Sequence, residues 1–167
     1  FLIHKTPPPP PPSPPPPPAA PGPGPPPPPR CSPGHGPTLS PPHCVAGTRG
    51  AEFLPGLRSD RFQTVWRKGY ERDFEAYAAT AQHPGFAAFL KSRGVTGVVI
   101  SGIATNICCH FAARDLRLAG FEVWLADDAS AGIDVPAAGL FQADAKREAA
   151  GLGIVYAPVA AIREKIR

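Results

Sequence analysis

The stretch GVVISGIATNICCHFAARDLRLAGFEVWLA, residues 97–126, decides the fold of this chain. It begins with Gly97 to Ile103, an apolar run rich in β-branched residues that predicts a buried strand. A helix is predicted from about Ile107 to Ala119, with Gly120 closing it. The next segment, Phe121 to Ala126, predicts a second buried strand. Strands and helices that alternate through short loops are the pattern of a parallel sheet covered by helices.

The alternation continues on both sides of this stretch. On the N-terminal side, Thr64 to Lys68 predicts a short strand because it is rich in β-branched and aromatic residues. Gly85 to Arg93 predicts a helix, with Gly94 as its C-cap glycine. On the C-terminal side we expect a helix near Ala137 to Ala150, a strand over Gly153 to Ala157 and a terminal helix to about Lys165. Open sheets of this kind place their sites at the carboxyl ends of the strands.

Proline divides the chain into two parts. Of its 26 prolines, 22 lie in the first 42 residues. Proline fixes φ and removes a backbone donor, so residues 6–29 predict a solvated polyproline II segment. We interpret residues 1–42 as a Pro-rich disordered segment and residues 43–167 as the folded domain. The tract is an SH3 or WW ligand, a semi-rigid linker, or non-coding sequence in a faulty gene model. The start at Phe1 and the lack of methionine favour the last interpretation.

Charge and apolar patterning exclude several functional classes. Once Lys5 and Arg30 are set aside, residues 43–167 hold 15 of the 17 basic groups and all 13 acidic groups. This balance argues against nucleic-acid binding, which needs concentrated basic groups. No apolar run approaches the roughly 18 residues that span a bilayer. The four cysteines lack the spacing of a disulfide framework or zinc site, so we expect a soluble cytoplasmic protein.

Reactive side chains follow two predicted strand ends. Cys108 and Cys109 lie in the first turn of a helix, where unpaired N–H groups and the helix dipole stabilise a thiolate suited to acyl transfer. Successive helical residues point about 100° apart, so only one thiol can face the strand ends. Lys68 closes its own strand, and its charge would stabilise a nearby thiolate or pass protons. The alternative is that both cysteines are small buried hydrophobes, Lys68 is a solvated surface cation and His43 is a structural histidine.

Three stretches of the sequence resemble nicotinamidases, within the isochorismatase-like cysteine hydrolases. They are PPHCVAGTRGAEF (Pro41 to Phe53), VWRKGYERDFEAY (Val65 to Tyr77) and the run from Gly94 to Asp134. GIATNIC alone would indicate only the superfamily, whereas its pairing with the HC and RKGY blocks favours nicotinamidases. The resemblance extends from roughly His35 to the C-terminus. It implies an α/β fold of three layers, α/β/α, with a mostly parallel sheet.

The resemblance also implies a reaction and a set of site residues. The family converts nicotinamide to nicotinate and ammonia in NAD salvage, with a triad of Asp, Lys and Cys. In this chain Lys68 matches the lysine and Cys108 matches the nucleophile, so Cys109 would take no part in the reaction. A cis peptide precedes the motif alanine in the family, and the N–H groups matching Ala104 and Cys108 form the oxyanion hole. His43 matches one ligand of a divalent metal site for zinc, iron or manganese. Another small amide or urea is the alternative substrate.

Acidic residues are missing where the resemblance requires them. No Asp or Glu precedes Glu52, and the family's catalytic and metal-binding aspartates lie ahead of the histidine that matches His43. The first strands of the family sheet would be missing too, leaving the strand of Lys68 as an apolar edge. We therefore expect the chain as written to be aggregation-prone and inactive as an amidase. It is either an enzyme from an incomplete gene model or a non-catalytic remnant with a polyproline interaction arm; homo-oligomerisation stays open.

Overall fold

The structure, a computed structural model, describes residues 2–4, 44–69 and 77–166. Of residues 2–4 only the backbone is described. The predictions for His43, for the polyproline tract and for the rest of residues 5–42 concern positions outside the described residues.

Four strands and five α-helices make up the described part of the chain. The strands are β1 (Leu2–His4), β2 (Gly97–Ile103), β3 (Glu122–Ala131) and β4 (Val155–Ala157). The helices are α1 (Ala79–Gln82), α2 (Phe86–Ser92), α3 (His110–Leu118), α4 (Gln142–Gly151) and α5 (Val159–Lys165). Short 3-10 turns occur at Arg49–Ala51, Ser59–Arg61 and Pro136–Ala138, and a π-helical turn occupies Thr105–Cys109.

The strands form one sheet in the order β1-β2-β3-β4. The pairs β2-β3 and β3-β4 are parallel, whereas β1 runs antiparallel to β2. β3 continues five residues past the predicted end at Ala126, because Ser130 and Ala131 pair with Gly102 and Ile103 after a register shift. The sheet is thus mostly parallel, as expected. β1 is an addition, because the sequence predicted no regular structure for this segment.

Helices cover both faces of the sheet. On one face, α2, α3 and α4 pack on β2 and β3 through one apolar cluster. Its largest fully buried members include Leu90 of α2, Ile100 of β2 and Leu116 of α3. On the other face, Ile162 of α5 packs with Val99 and Ala126. Side chains alternate between the two faces of a strand, which explains why neighbours such as Val99 and Ile100 enter different clusters. The three-layer α/β/α prediction is confirmed.

The predicted strand at Thr64 to Lys68 is wrong. The structure shows irregular chain there, without strand pairing. Within the described part, the edge of β2 that faces away from β3 pairs with β1 instead, so the expected apolar edge strand at Lys68 is wrong as well. Trp66 packs against Phe86 and Phe89 of α2, with ring centroids 5.1 and 5.5 Å away. β-branched and aromatic residues indicate an apolar surface to pack on, and they do not by themselves supply a ladder partner.

Helix boundaries follow the local turn chemistry. α2 ends as predicted, with Gly94 at φ +68° beyond its last turn. The helix expected from Ala137 starts later, at Gln142, because Gly139 has a left-handed φ of +65° that ends the preceding 3-10 turn. The side chain of Asp134 accepts a hydrogen bond of 2.8 Å from the Gln142 N–H and so satisfies one free donor of α4.

Among residues 2–4, 44–69 and 77–166, no helix has the length and apolar character needed to cross a bilayer.

Candidate active site

The carboxyl end of β2 leads directly into the segment that holds the two adjacent cysteines. The peptide bond between Ile103 and Ala104 is cis, as the resemblance implies. The π-helical turn follows, and the N–H groups of Ile107 and Cys109 both donate to the Ala104 carbonyl, at 3.1 and 3.2 Å. α3 continues from this turn without a break. The chain therefore turns back at the carboxyl end of β2, where Cys108 is partly exposed and Cys109 is buried.

Lys68 and Cys108, 40 residues apart in sequence, meet at this edge. The Lys68 ammonium group lies 3.3 Å from the Cys108 sulfur and donates a hydrogen bond of 2.7 Å to the Tyr77 carbonyl. The Tyr77 ring stacks on Phe111 of α3, with centroids 5.5 Å apart and planes 19° apart. A cation at this distance stabilises the thiolate form of the sulfur, which is the nucleophilic form. The two side chains that the sequence assigned to the chemistry are thus in contact.

The two cysteines differ in their surroundings. Burial raises the pKa of the Cys109 thiol to about 11; the negative charge of the neighbouring Cys108 thiolate acts in the same direction, and the Lys68 charge opposes both. Cys109 therefore keeps its proton at neutral pH and is a poor nucleophile. Cys109 is 6% exposed and belongs to the core beside α3. The sequence could state only that one of the two thiols faces the strand ends, and burial distinguishes them.

Asn106, in the same turn, ties the loop after β3 to the site. Its side-chain amide donates to the Ile133 carbonyl at 2.9 Å and accepts from the Ile133 N–H at 3.1 Å. Gly132 fits this close approach because a Cβ there would lie 2.9 Å from the Asn106 Oδ1 and would clash with the Gln142 Oε1. Sequence reasoning missed Asn106. The available signal was an amide side chain inside a mostly apolar motif, because a buried amide needs hydrogen-bond partners.

The segment that carries Lys68 is held by the end of α1. The Gly69 N–H donates to the Gln82 side-chain oxygen at 2.6 Å. The His83 Nε2–H donates to the Arg67 carbonyl, on the other side of Lys68. The His83 ring also packs edge-on against Trp66, with centroids 5.0 Å apart. No sequence pattern pointed to these contacts, because each joins one side chain to a backbone group 13 or 16 residues away.

The described residues do not supply a metal site. Within them, no group of three or more His, Cys, Asp or Glu side chains is placed to hold an ion. His43, the ligand implied by the resemblance, lies outside the described residues. We therefore assign no step of the chemistry to a metal.

Comparison with known proteins identifies the family. Residues 29–150 match the isochorismatase domain. The chain belongs to this family. Its curated relatives include the nicotinamidase of Acinetobacter baylyi, which is 38% identical over 107 residues. That alignment covers 60% of this chain and 50% of the relative, so the chain spans about half the length of this curated relative.

Solved structures give the same family likeness. A nicotinamidase/pyrazinamidase of Acinetobacter baumanii superposes with a TM-score of 0.66 at 32% identity, covering 73% of this chain and 60% of that chain. A protein of L. infantum, crystallised in complex with nicotinate, gives a TM-score of 0.64 at 34% identity, with coverages of 72% and 61%. The pyrazinamidase of Pyrococcus horikoshii, crystallised in complex with zinc, gives 0.60 at 36% identity, with coverages of 71% and 62%. The resemblance to nicotinamidases is confirmed.

Proposed function

We propose that this chain carries the cysteine and lysine of an amidase that converts nicotinamide to nicotinate and ammonia, a reaction of NAD salvage. The contact of 3.3 Å between the Lys68 ammonium and the Cys108 sulfur carries the proposal. It lies at the carboxyl end of a parallel strand, where α/β sheets place their sites. Relatives named nicotinamidases and a related protein crystallised with nicotinate support nicotinamide as the substrate.

The chemistry proceeds through a thioester. The Cys108 thiolate attacks the carboxamide carbon, a C–S bond forms, and the C–N bond breaks with a proton delivered to the leaving nitrogen. Water then attacks the thioester carbon, the C–S bond breaks and nicotinate leaves. We assign the oxyanion hole to the N–H groups of Ala104 and Cys108, where each donor lowers the barrier by about 3 to 4 kcal/mol. The Lys68 charge stabilises the Cys108 thiolate before it attacks the carboxamide, and again when the C–S bond breaks and the thiolate leaves.

Proton transfer needs a carboxylate that residues 1–51 do not contain. The family places this acid ahead of the histidine that matches His43, so we propose that residues 1–167 alone do not turn over nicotinamide. We also propose that His43 contributes one ligand to a divalent metal in the complete site; the Pyrococcus horikoshii relative in complex with zinc supports this assignment. Both proposals place the catalytic carboxylate and the remaining metal ligands in an N-terminal segment whose sequence differs from that of residues 1–42.

A chimera tests the function. The segment of the Acinetobacter baylyi nicotinamidase that precedes the matched region is fused ahead of His43, and ammonia release from nicotinamide is measured for the chimera and for the chain alone. We expect turnover by the chimera only. Cys108→Ala should abolish this turnover, whereas Cys109→Ala should retain it as the matched control. A chimera that folds, by circular dichroism, but releases no ammonia contradicts the proposal, and so does a Cys108→Ala chimera that retains activity.

Two other functions remain candidates. If the chimera hydrolyses acetamide or urea faster than nicotinamide, the substrate is a different small amide of the same superfamily. The second candidate, a non-catalytic remnant with a polyproline interaction arm, is favoured by the lack of acidic residues before Glu52. Sequencing the transcript across residues 1–45 distinguishes it from the enzyme: transcribed proline codons support the remnant, and codons for a strand that ends in Asp support the enzyme.

A further inference from the structure

We infer that Gln82 and His83 are positioning residues that hold the backbone on both sides of Lys68, so that its ammonium group reaches Cys108. The inference rests on the proposed function, since it concerns how Lys68 is presented to the nucleophile. Gln82 and His83 contact the backbone of Gly69 and Arg67, and so act on the sulfur only through the lysine.

The local backbone gives the reason for a clamp. Residues 64–68 form no strand ladder in the structure, so sheet hydrogen bonds do not fix the direction in which Lys68 leaves the chain. A lysine side chain has several rotatable bonds and loses rotamer entropy when its end is held at one place. A backbone fixed on both sides reduces the number of positions that the ammonium group can reach. The contact of 3.3 Å with Cys108 then needs only the side chain to be ordered.

The clamp consists of two hydrogen bonds from consecutive residues. The Gln82 side-chain oxygen accepts from the N–H of Gly69, the residue after Lys68, at 2.6 Å. The His83 ring nitrogen donates to the carbonyl of Arg67, the residue before Lys68. One side chain therefore fixes each peptide group that flanks the lysine. The His83 ring is itself held by its edge-on contact with Trp66.

The orientation of the Gln82 amide supports a specific role. Its Nε2 is buried and has no hydrogen-bond partner among the residues that the structure describes. A buried donor without a partner is unfavourable, so this orientation needs a compensating hydrogen bond at the amide oxygen. The Gly69 N–H can bond only to an acceptor, so this contact keeps the oxygen toward Gly69. The amide oxygen therefore accepts a hydrogen bond from the backbone beside Lys68, while the amide nitrogen has no partner among the described residues.

The test measures how fast Cys108 reacts with iodoacetamide in the full chain at neutral pH, by mass spectrometry of the peptides. Cys44, an exposed cysteine, serves as the internal control in every sample. Lys68→Met should slow Cys108 by about 5 to 10 fold, because the thiolate loses its cation. Gln82→Leu and His83→Ala should each slow it by about 3 fold. His83→Gln, which restores a donor to the Arg67 carbonyl, should recover most of the rate.

A double variant separates positioning from general destabilisation. If Gln82 acts through the lysine, Gln82→Leu should change the Cys108 rate by less than about 1.5 fold when Lys68 is already Met. An equal slowing in both backgrounds, or no slowing in either, overturns the inference. If Gln82→Leu does not fold, the His83→Ala and His83→Gln pair decides: no slowing by the first, or no recovery by the second, overturns it. An unchanged rate in Lys68→Met contradicts the proposed role of Lys68 itself, whereas slowing by Lys68→Met alone refutes only the clamp.

Discussion

Replacing Asn106 by alanine should destabilise the chain by breaking the link between the π-helical turn and the loop after β3. Asn106 is 4% exposed and makes two hydrogen bonds with the backbone of Ile133, at 2.9 and 3.1 Å. Each such bond contributes about 0.5 to 1.5 kcal/mol net, so their loss amounts to about 1 to 3 kcal/mol. The upper part of this range applies if water does not reach the Ile133 peptide groups in the variant. Because Ile133 is 59% exposed, water can reach the loop and moderate the loss.

The free energy of unfolding is measured by urea titration with tryptophan fluorescence and circular dichroism, and hydrogen exchange follows the loop peptide that contains Ile133. Asn106→Ala should lower the unfolding free energy by about 1 to 3 kcal/mol and speed exchange at Ile133. Ser92→Ala is the matched control, because the Ser92 hydroxyl also donates to a backbone carbonyl, at 2.8 Å, but at an exposed position. Water replaces that bond, so the change should stay within about 0.5 kcal/mol. If Asn106→Ala costs no more than Ser92→Ala, the reasoning is refuted.

Three further predictions concern the core, the sheet and high pH. Leu116→Ala truncates a residue with 0% exposure and should lower the free energy of unfolding in urea by about 2 to 5 kcal/mol. Leu118→Ala, at 70% exposure, should change it by no more than about 0.5 kcal/mol. Similar losses in the two variants would contradict the assigned core. Gly97→Ala places a Cβ 2.6 Å from the Trp124 ring and should lower the free energy of unfolding by about 1 to 3 kcal/mol. Gly151→Ala is the control, because Gly151 lies in a helix with open space around it, and this variant should be neutral or stabilising. A Gly97→Ala variant as stable as the parent chain would refute the predicted clash. Burial raises the pKa of Cys109 from 9.0 to about 11 and that of Tyr156 from 10.0 to about 12. The unfolded chain therefore releases these protons first, and stability should fall as pH rises from 9 toward 11 for Cys109 and from 10 toward 12 for Tyr156. Cys109→Ala should remove the first part of the fall, and a urea midpoint independent of pH over this range would be inconsistent with both shifts.

Secondary structure was predictable where one segment carried its own signal. β2 has the bounds read from its apolar run, Gly97–Ile103, and Gly94 ends the helix before it. The pairing of Lys68 with Cys108 was expected from the resemblance of motifs, not from periodicity. The predicted strand at Thr64 to Lys68 failed because strand formation depends on a partner, which local composition does not reveal.

The sequence by itself determined the alternation of strands and helices, the parallel sheet and the thiol at the end of β2, because each depends on short-range pattern and on turn residues. Only the tertiary structure decided which cysteine is buried, how Asn106 holds the loop at Ile133, and how Gln82 and His83 hold the backbone beside Lys68. The hydrogen bonds among these features join groups that lie 13, 16 and 27 residues apart and share no repeating pattern. Hydrogen bonds and burial are set by where packed elements come to lie, so they become visible only when the helices and the sheet are assembled.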